Sequence, residues 1–447
     1  MANPQVEEFP SPDPRQLPSR KRYVVMTAIC LAATIAYMGR NCLGVASEHV
    51  QADLEIDEIQ MGWAMTAFFL AYSLAQVPAG WLGNHFGPRA MLSIYATIWS
   101  FFCAAFYFVG GAWSLIALQV GFGIAQAGIF PCSAGMIRHW MPATRWALAV
   151  GLMGSFMSIG GALGSAVTGY AIEGITTGWL TTPAIPWQWV FVLFALPGLP
   201  FVAWFYLWFR NQPEEHPGVN TVERELIRRS SPERPSRSAG TSWIVTAVHP
   251  GMLPLYAQQF CRGAGYIFFS TWFPKYLRET RNVTTGESGL LTALPLLSVV
   301  VGCVASGLLV DFLWKKTGSK RISRQLTSVL ALATCAACIG AAYFVADAVG
   351  AVALISLGTF CGTLAGPPSS ATAIDKAGEH TEQVYGVMNM VGNMGAAVCP
   401  MAVAWMAVST GQWEPVLLLF VGIYAVAAVA WMFLDPRGLV ASDQPVV

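Results

Sequence analysis

Apolar residues in this chain gather into runs of about twenty, the length needed to cross a bilayer as a helix, separated by short polar turns. Twelve such runs can be placed. The first six cover 23–46, 62–83, 90–110, 113–137, 146–171 and 187–209. The second six cover 251–276, 288–313, 324–346, 349–374, 382–408 and 413–434. Stretches such as Ala331 to Val345 lack the apolar–polar alternation of a membrane strand, so a barrel is not expected. The predicted fold is an all-α polytopic membrane protein of twelve transmembrane helices in two six-helix bundles.

Charge collapses and returns along with this pattern. The predicted organisation is a disordered tail (1–22), a six-helix bundle (23–209), a charged linker (210–248), a second bundle (249–435) and a short tail (436–447). The linker is rich in Glu and Arg, and the first tail carries prolines at 4, 10, 12, 14 and 18. Only 11% of the 447 residues are charged, against about 25% in ordinary soluble domains. With both termini cytoplasmic, Lys275, Arg278 and Arg281 fall outside, Arg40 and Arg262 fall inside spans, and the other 20 of the 25 Lys and Arg face the cytoplasm. The positive-inside rule therefore predicts a multi-pass protein of the cell (inner or plasma) membrane in that orientation. The first outer loop is acidic, with Glu48, Asp53, Glu55, Asp57 and Glu58.

The halves echo each other at an offset of 227 residues. Gly62 and Gly80 in the second span correspond to Gly289 and Gly307 in the eighth, and Asn84 corresponds to Asp311. Duplicated halves that rock around a central site are common among secondary transporters. The fifth span is dense in glycine (Gly151, Gly154, Gly160, Gly161, Gly164, Gly169), which suits either tight static packing or a sliding interface. The ten cysteines lie in spans or at their ends, so no disulfide framework is expected. Cys335-Ala-Ala-Cys338 has metal-like spacing but no His or acid beside it, and reads as helix packing.

Two residues break the apolar pattern most severely. Arg40 and Arg262 sit within spans, where a cation costs roughly 2.5–3.5 kcal/mol on insertion scales, and no carboxylate lies beside either. Arg40 could instead snorkel to an interface. A guanidinium is permanently charged and offers a planar fork of donors to a carboxylate. Tyr37, Arg40 and Asn41 stand at i, i+3 and i+4; Arg262 and Tyr266, and Asn389 and Asn393, stand at i, i+4. Gln119 and Gln126 are two turns apart. These polar stripes, on the first, fourth, seventh and eleventh spans, would line a wet cavity at the bundle junction. Interhelical hydrogen bonding without substrate contact is the competing role for the amides. The spans carry no His-Glu-x-x-His, no Gly-x-Ser-x-Gly and no metal cluster, so an enzyme is not expected.

Several motifs in order resemble one family. They are Tyr37-Met-Gly-Arg40-Asn41, Gly80-Trp-Leu-Gly-Asn84-His-Phe-Gly87-Pro-Arg89 and Gly123-Ile-Ala-Gln126-Ala-Gly-Ile-Phe130-Pro131. Pro213-Glu-Glu-His-Pro217, Phe260-Cys-Arg262, Thr271-Trp-Phe-Pro-Lys-Tyr-Leu277 and Asn389-Met-Val-Gly-Asn393-Met-Gly395 follow. Over residues 23–435 the chain is similar to the anion:cation symporters of the major facilitator superfamily, which include sugar-acid permeases and vesicular glutamate and phosphate carriers. The resemblance implies substrate-carboxylate binding by Arg40 and Arg262, and a gating role for Gly80, Asn84, Gly87, Arg89 and Asp311. It also implies two protonatable acids that this chain lacks, since Gly39 and Gln126 stand in their places, and Gln119 replaces a frequent arginine. No Asp, Glu or His lies well inside a span, so family-type proton coupling does not carry over.

The expected activity is transport of small organic anions by alternating access, with sugar acids such as hexuronate, galactonate or glucarate foremost. Phosphate, dicarboxylates, amphipathic drugs and a non-transporting sensor are the alternatives. The expected partners are the anion, a coupling ion or counter-anion and the lipid bilayer. The chain is expected to act as a monomer, without cofactor, metal or nucleic acid.

Overall fold

In a computed structural model the protein is described over residues 17–142, 145–176, 181–229, 243–377 and 381–437. Much of the two tails, 230–242 of the linker and the side chain of Asp311 lie outside the described residues.

The first half contains α1 (Lys21–Leu54), α2 (Glu58–Phe86), α3 (Pro88–Ala105), α4 (Ala112–Gln126), α5 (Ile129–Trp140), α6 (Trp146–Glu173), α7 (Trp187–Ala195) and α8 (Gly198–Trp208). The linker holds α9 (Thr221–Arg229) and α10 (Trp243–Val248). The second half contains α11 (Leu253–Ser270), α12 (Phe273–Arg281), α13 (Thr285–Thr317), α14 (Thr327–Tyr343), α15 (Ala348–Thr363), α16 (Gly366–Ala377), α17 (Thr381–Thr410) and α18 (Pro415–Phe433). A two-residue antiparallel pairing, Ile175–Thr176 with Thr181–Thr182, decorates the turn after α6.

Each expected span contains helix, and among the described residues ten helical stretches are long and apolar enough to cross a membrane. The stretches at Glu58–Phe86 and Leu253–Ser270 fall outside that set. They carry Gln76 and the Gln258, Gln259 and Arg262 group, polar residues that become important below.

Sequence chemistry explains where spans break. The fourth divides at Ala127-Gly128, where any side chain on Gly128 would collide with the Tyr95 ring. The seventh and tenth restart as helices that open on Pro274 and on Pro367-Pro368, in the first turn where the N–H that proline lacks has no helical partner. Discontinuous helices free backbone groups where a cavity can use them. The first span differs from expectation in the other direction. Helix α1 runs on to Leu54, so Glu48 and Asp53 are helical rather than in a loop. Contacts hold that extension in place: Asp53 accepts from Trp187 (3.1 Å) and Gln188 (2.7 Å).

The halves meet through α2 against α17 and α6 against α13. At the end distant from the termini this contact is close. A methyl on Gly62 would lie 2.8 Å from Ala404, and one on Gly289 would lie 2.5 Å from the Ser165 carbonyl. The repeat-related glycines therefore occupy equivalent inter-half positions. Toward the terminus-bearing end Gly80 packs on Pro131 of its own half, whereas Gly307 and Gly386 meet nothing within 4 Å. The glycines of α6 divide likewise. Gly160 and Gly164 admit the α1 backbone at Thr34 and Met38, Gly169 admits α13, and Gly151 and Gly154 stand in open space.

Two ion pairs also join the halves at the distal end. Lys275 binds Glu58 (3.0 Å) and Gln51 (2.8 Å), and Arg278 binds Glu48 (2.5 Å). Burial opposes the charge of Glu58, which sits outside the apolar stretch 62–83, yet the Lys275 ammonium holds its carboxyl below the usual glutamate range.

At the opposite end the linker clamps the start of α1. The fully buried Glu223 carboxylate accepts from Lys21 N (3.0 Å), Arg22 N (3.2 Å), the Arg22 guanidinium (3.3 Å) and the Ser19 hydroxyl. A carboxylate there satisfies orphan N–H groups and the positive end of the helix dipole.

Candidate functional site

Arg40 leaves α1 near its middle, 19 residues or roughly 28 Å beyond Lys21. Its guanidinium turns into the first half, which rules out snorkelling. Nε and one terminal nitrogen both donate to Gln126 Oε1, at 3.1 and 2.9 Å. The Gln126 amide is in turn fixed by donating to the Ala36 carbonyl at 3.1 Å. Three rings surround the cation: Tyr37 at 4.1 Å, Tyr72 at 4.6 Å and Phe68 at 4.9 Å. Ring faces stabilise a desolvated cation by about 2 kcal/mol without removing its charge. Arg40 is thus oriented and packed, but not neutralised.

The two positions where the resemblance implied acids are both accounted for. Gln126 ends α4 at the break in the fourth span and holds Arg40 with a neutral amide. Residue 39 faces α3 and α4: a methyl there would lie 3.2 Å from Cys103 Sγ and 3.4 Å from Phe122. A longer acidic side chain would have to displace this thiol and ring.

Arg262 stands in a looser setting. It donates to Gln259 Oε1 one turn earlier at 3.2 Å, and makes no ion pair among the described residues; the same is true of Arg40. A cavity of about 130 Å³ opens beside it, lined by Tyr266, Cys303, Thr359, Thr363 and Tyr424 from four different spans. Gly366 at the start of α16 leaves room for the guanidinium, since a methyl there would lie 2.9 Å from Nη2. Tyr266 links the two arginine sites. It lines the Arg262 cavity while lying within electrostatic reach of Arg40 and beside Ser158.

The amides of α17 reach across to the other half. Asn389 and Asn393 both donate to Gln76 Oε1 of α2, at 3.2 and 3.4 Å, and Asn393 also bonds the Asn389 carbonyl. The structure therefore brings Tyr37, Arg40 and Gln126 together, joins Arg262 to Tyr266, and places Asn389 with Asn393 at the inter-half seam. Two candidates stand apart. Gln119 is buried and does not bond Arg40, and Asn41 turns toward Gly161, where a methyl would lie 2.8 Å from its amide nitrogen. Asn41 follows Arg40 by one residue, about 100° around the helix, which carries it off the arginine's face.

Sequence reasoning missed Phe68, Tyr72, Gln76, Gln259 and Tyr424. The aromatics carry no signal of facing in a helix apolar all round. Gln76 had one, as a lone amide within an apolar span.

The gating candidates cluster at the terminus-bearing end. Gly87 has φ of 83°, a conformation suited to glycine, and a methyl there would strike the Asn211 side chain at 2.4 Å. Asn211 accepts from Arg89 N (3.0 Å), and the Arg89 guanidinium bonds the Tyr206 carbonyl (2.8 Å) and lies over its ring. Asn84 lines a polar cavity of about 320 Å³ there. This knot ties α2, α3 and α8 within one half.

Comparison with known proteins agrees with this architecture. The sequence model of the Major Facilitator Superfamily matches residues 29–398. Among curated relatives, the "Probable sulfoacetate transporter" of Cupriavidus necator is 28% identical over 95% of this chain and 96% of its own. The D-galactonate transporter of Escherichia coli is 28% identical (93% and 96%), and the hexuronate transporter of Bacillus subtilis 27% identical (92% and 94%). Among solved structures, a bacterial homolog of the human lysosomal transporter Spinster, inward-facing and unoccupied, superposes with a TM-score of 0.70 at 16% identity, over 93% of this chain and 95% of that one. The fold is thus shared where the sequences have diverged, and this multi-pass membrane chain belongs to the Major Facilitator Superfamily.

Proposed function

We propose that this protein carries small organic anions across the membrane by alternating access, with Arg40 and Arg262 holding the anionic groups. The observation that carries the reading is the pair of permanent cations, one in each half, neither with a carboxylate partner among the described residues. The names of the relatives support the substrate class: sulfoacetate, galactonate, galactarate or glucarate, and hexuronate. Sulfoacetate and the aldarates are dianions, which matches two guanidiniums. Tyr266, Thr359, Thr363 and Gln76 offer the neutral donors and acceptors that read hydroxyl groups.

Both termini face the cytoplasm in this reading. The closely packed distal end is then the outer gate, and the open glycine surfaces near Gly307 and Gly386 lie on the inner side. Coupling does not run through a carboxylate at residue 39 or 126. A monoanion entering a negative-inside cell works against about 2.3 kcal/mol per 100 mV. Exchange of one anion for another avoids that penalty and keeps both guanidiniums occupied during closure.

The test is uptake into proteoliposomes from a panel of sulfoacetate, glucarate, galactonate, a hexuronate, phosphate and a cationic drug. Acidic substrates should accumulate, faster when the vesicles are preloaded with the same anion. Arg40→Gln and Arg262→Gln should each reduce uptake at least about 30-fold, since removing one partner of a buried charge pair costs about 2–5 kcal/mol. Uptake of the drug alone, or acidic uptake unchanged in both variants, would overturn the reading. Equal rates of net uptake and exchange would overturn the exchange mode.

A further inference from the structure

A third cavity, of about 290 Å³, lies at the level where α1 and α6 begin, about five turns along α1 from Arg40. Its size is near the lower bound of small-ligand sites, about 300 Å³. One part of its wall is cationic. Arg22 and Arg145 line it, and both, with Arg20, lie within electrostatic reach of the Tyr23 hydroxyl, which Arg22 also contacts at 3.4 Å. No carboxylate lines it among the described residues, and the nearby Glu223 is fully buried and taken up by the start of α1.

The other part of the wall is apolar and open sideways. Met26, Leu148 and Leu152 continue from the arginines into the span, and Leu148 and Leu152 are 54% and 38% exposed. A soluble anion would have no use for this slope, whereas an acyl chain would lie along it. Leu226 of the linker helix completes the wall.

We propose that this cavity binds one anionic phospholipid of the adjoining leaflet, with its phosphate on Arg22 and Arg145 and a chain along Leu148 and Leu152. The lipid then bridges α9, which meets α1 at the Glu223 clamp, to the closely packed α1–α6 pair. Because α9 belongs to the linker between the halves, occupancy couples the leaflet's charge to the linker's hold on α1. Arg145 is exposed, so its replacement leaves the buried Glu223 clamp untouched.

The test uses the full-length protein, purified with mixed phosphatidylglycerol and phosphatidylcholine and examined by native mass spectrometry. The wild type should retain one phosphatidylglycerol in preference to phosphatidylcholine. Arg145→Gln should cut that retention about fivefold, from about 1 kcal/mol per basic residue at an anionic surface, while Arg145→Lys should preserve it. Leu148→Trp, which fills the slope, should also reduce it. Phosphatidylglycerol should raise the Tm of the wild type more than that of Arg145→Gln, whereas glycerol phosphate at matched ionic strength should raise neither. Equal retention of both lipids, or of phosphatidylglycerol by wild type and Arg145→Gln, overturns the proposal. A Tm rise reproduced by glycerol phosphate overturns it in favour of a soluble-anion site.

Discussion

Arg40 and Arg262 carry the same charge in quasi-equivalent halves, yet their surroundings differ in kind. Arg40 has two hydrogen bonds to one amide and three aromatic faces, so its orientation is set before any ligand arrives. Arg262 has one hydrogen bond to its own helix and an open cavity beside it. A pre-oriented group gives affinity without an ordering cost, and a loosely held one can follow a ligand as the halves move. The pair thus divides into a fixed anchor and an adjustable one.

The strongest way to break this contrast is to give each arginine a counterion. Gln126→Glu places a carboxylate at 2.9–3.1 Å from Arg40, so anion affinity measured by titration at pH 7 should fall about 30-fold or more. It should recover as acid protonates the new group, a pH dependence the wild type lacks. Gln259→Glu should cost less, about tenfold, because its single 3.2 Å contact leaves Arg262 free to swing away.

Removing packing rather than charge should separate the sites further. Tyr72→Leu takes one ring face from Arg40 and should raise KM about five- to tenfold. Gln259→Leu removes the only hydrogen bond of Arg262 among the described residues and should raise it less, about threefold.

The smallest expected effect lies at the distal latch. Glu58 faces Lys275, which also contacts Gln51 and lies over the Trp413 ring. Its carboxyl is held below the ordinary range in the closed arrangement, so closure is favoured above the ordinary glutamate pKa, 4.5, and that contribution is lost as pH falls through the lowered value. Spin-label distances across the distal end should lengthen in a minor population at low pH. Glu58→Gln should show that population at neutral pH and remove the acid response.

The helices were legible because membrane burial writes itself as length and apolarity, but the breaks near Pro274 and Pro367 were not, since the apolar runs 251–276 and 349–374 pass straight through them. The permanent cations were legible for the complementary reason, as residues that hydrocarbon penalises. Facing was harder to read. Asn41 shares a helical stripe with Tyr37 yet packs on Gly161, because α1 is enclosed on several sides and a stripe does not name the neighbour it meets. Phe68 and Tyr72 look like any other aromatic in an apolar span, and only the approach of α1 and α2 makes them a box for Arg40. Gln76 was visible as a lone amide, but its partners sit more than 300 residues away.

The most direct test of the two-anchor account is equilibrium binding of a dianion such as glucarate to purified protein, measured by calorimetry so that no transport step intervenes. Arg40→Gln and Arg262→Gln should each weaken binding at least about 30-fold relative to the wild type, with both variants folded by their thermal transitions. Binding within about twofold of the wild type in either variant would contradict it, because one guanidinium would then be holding nothing.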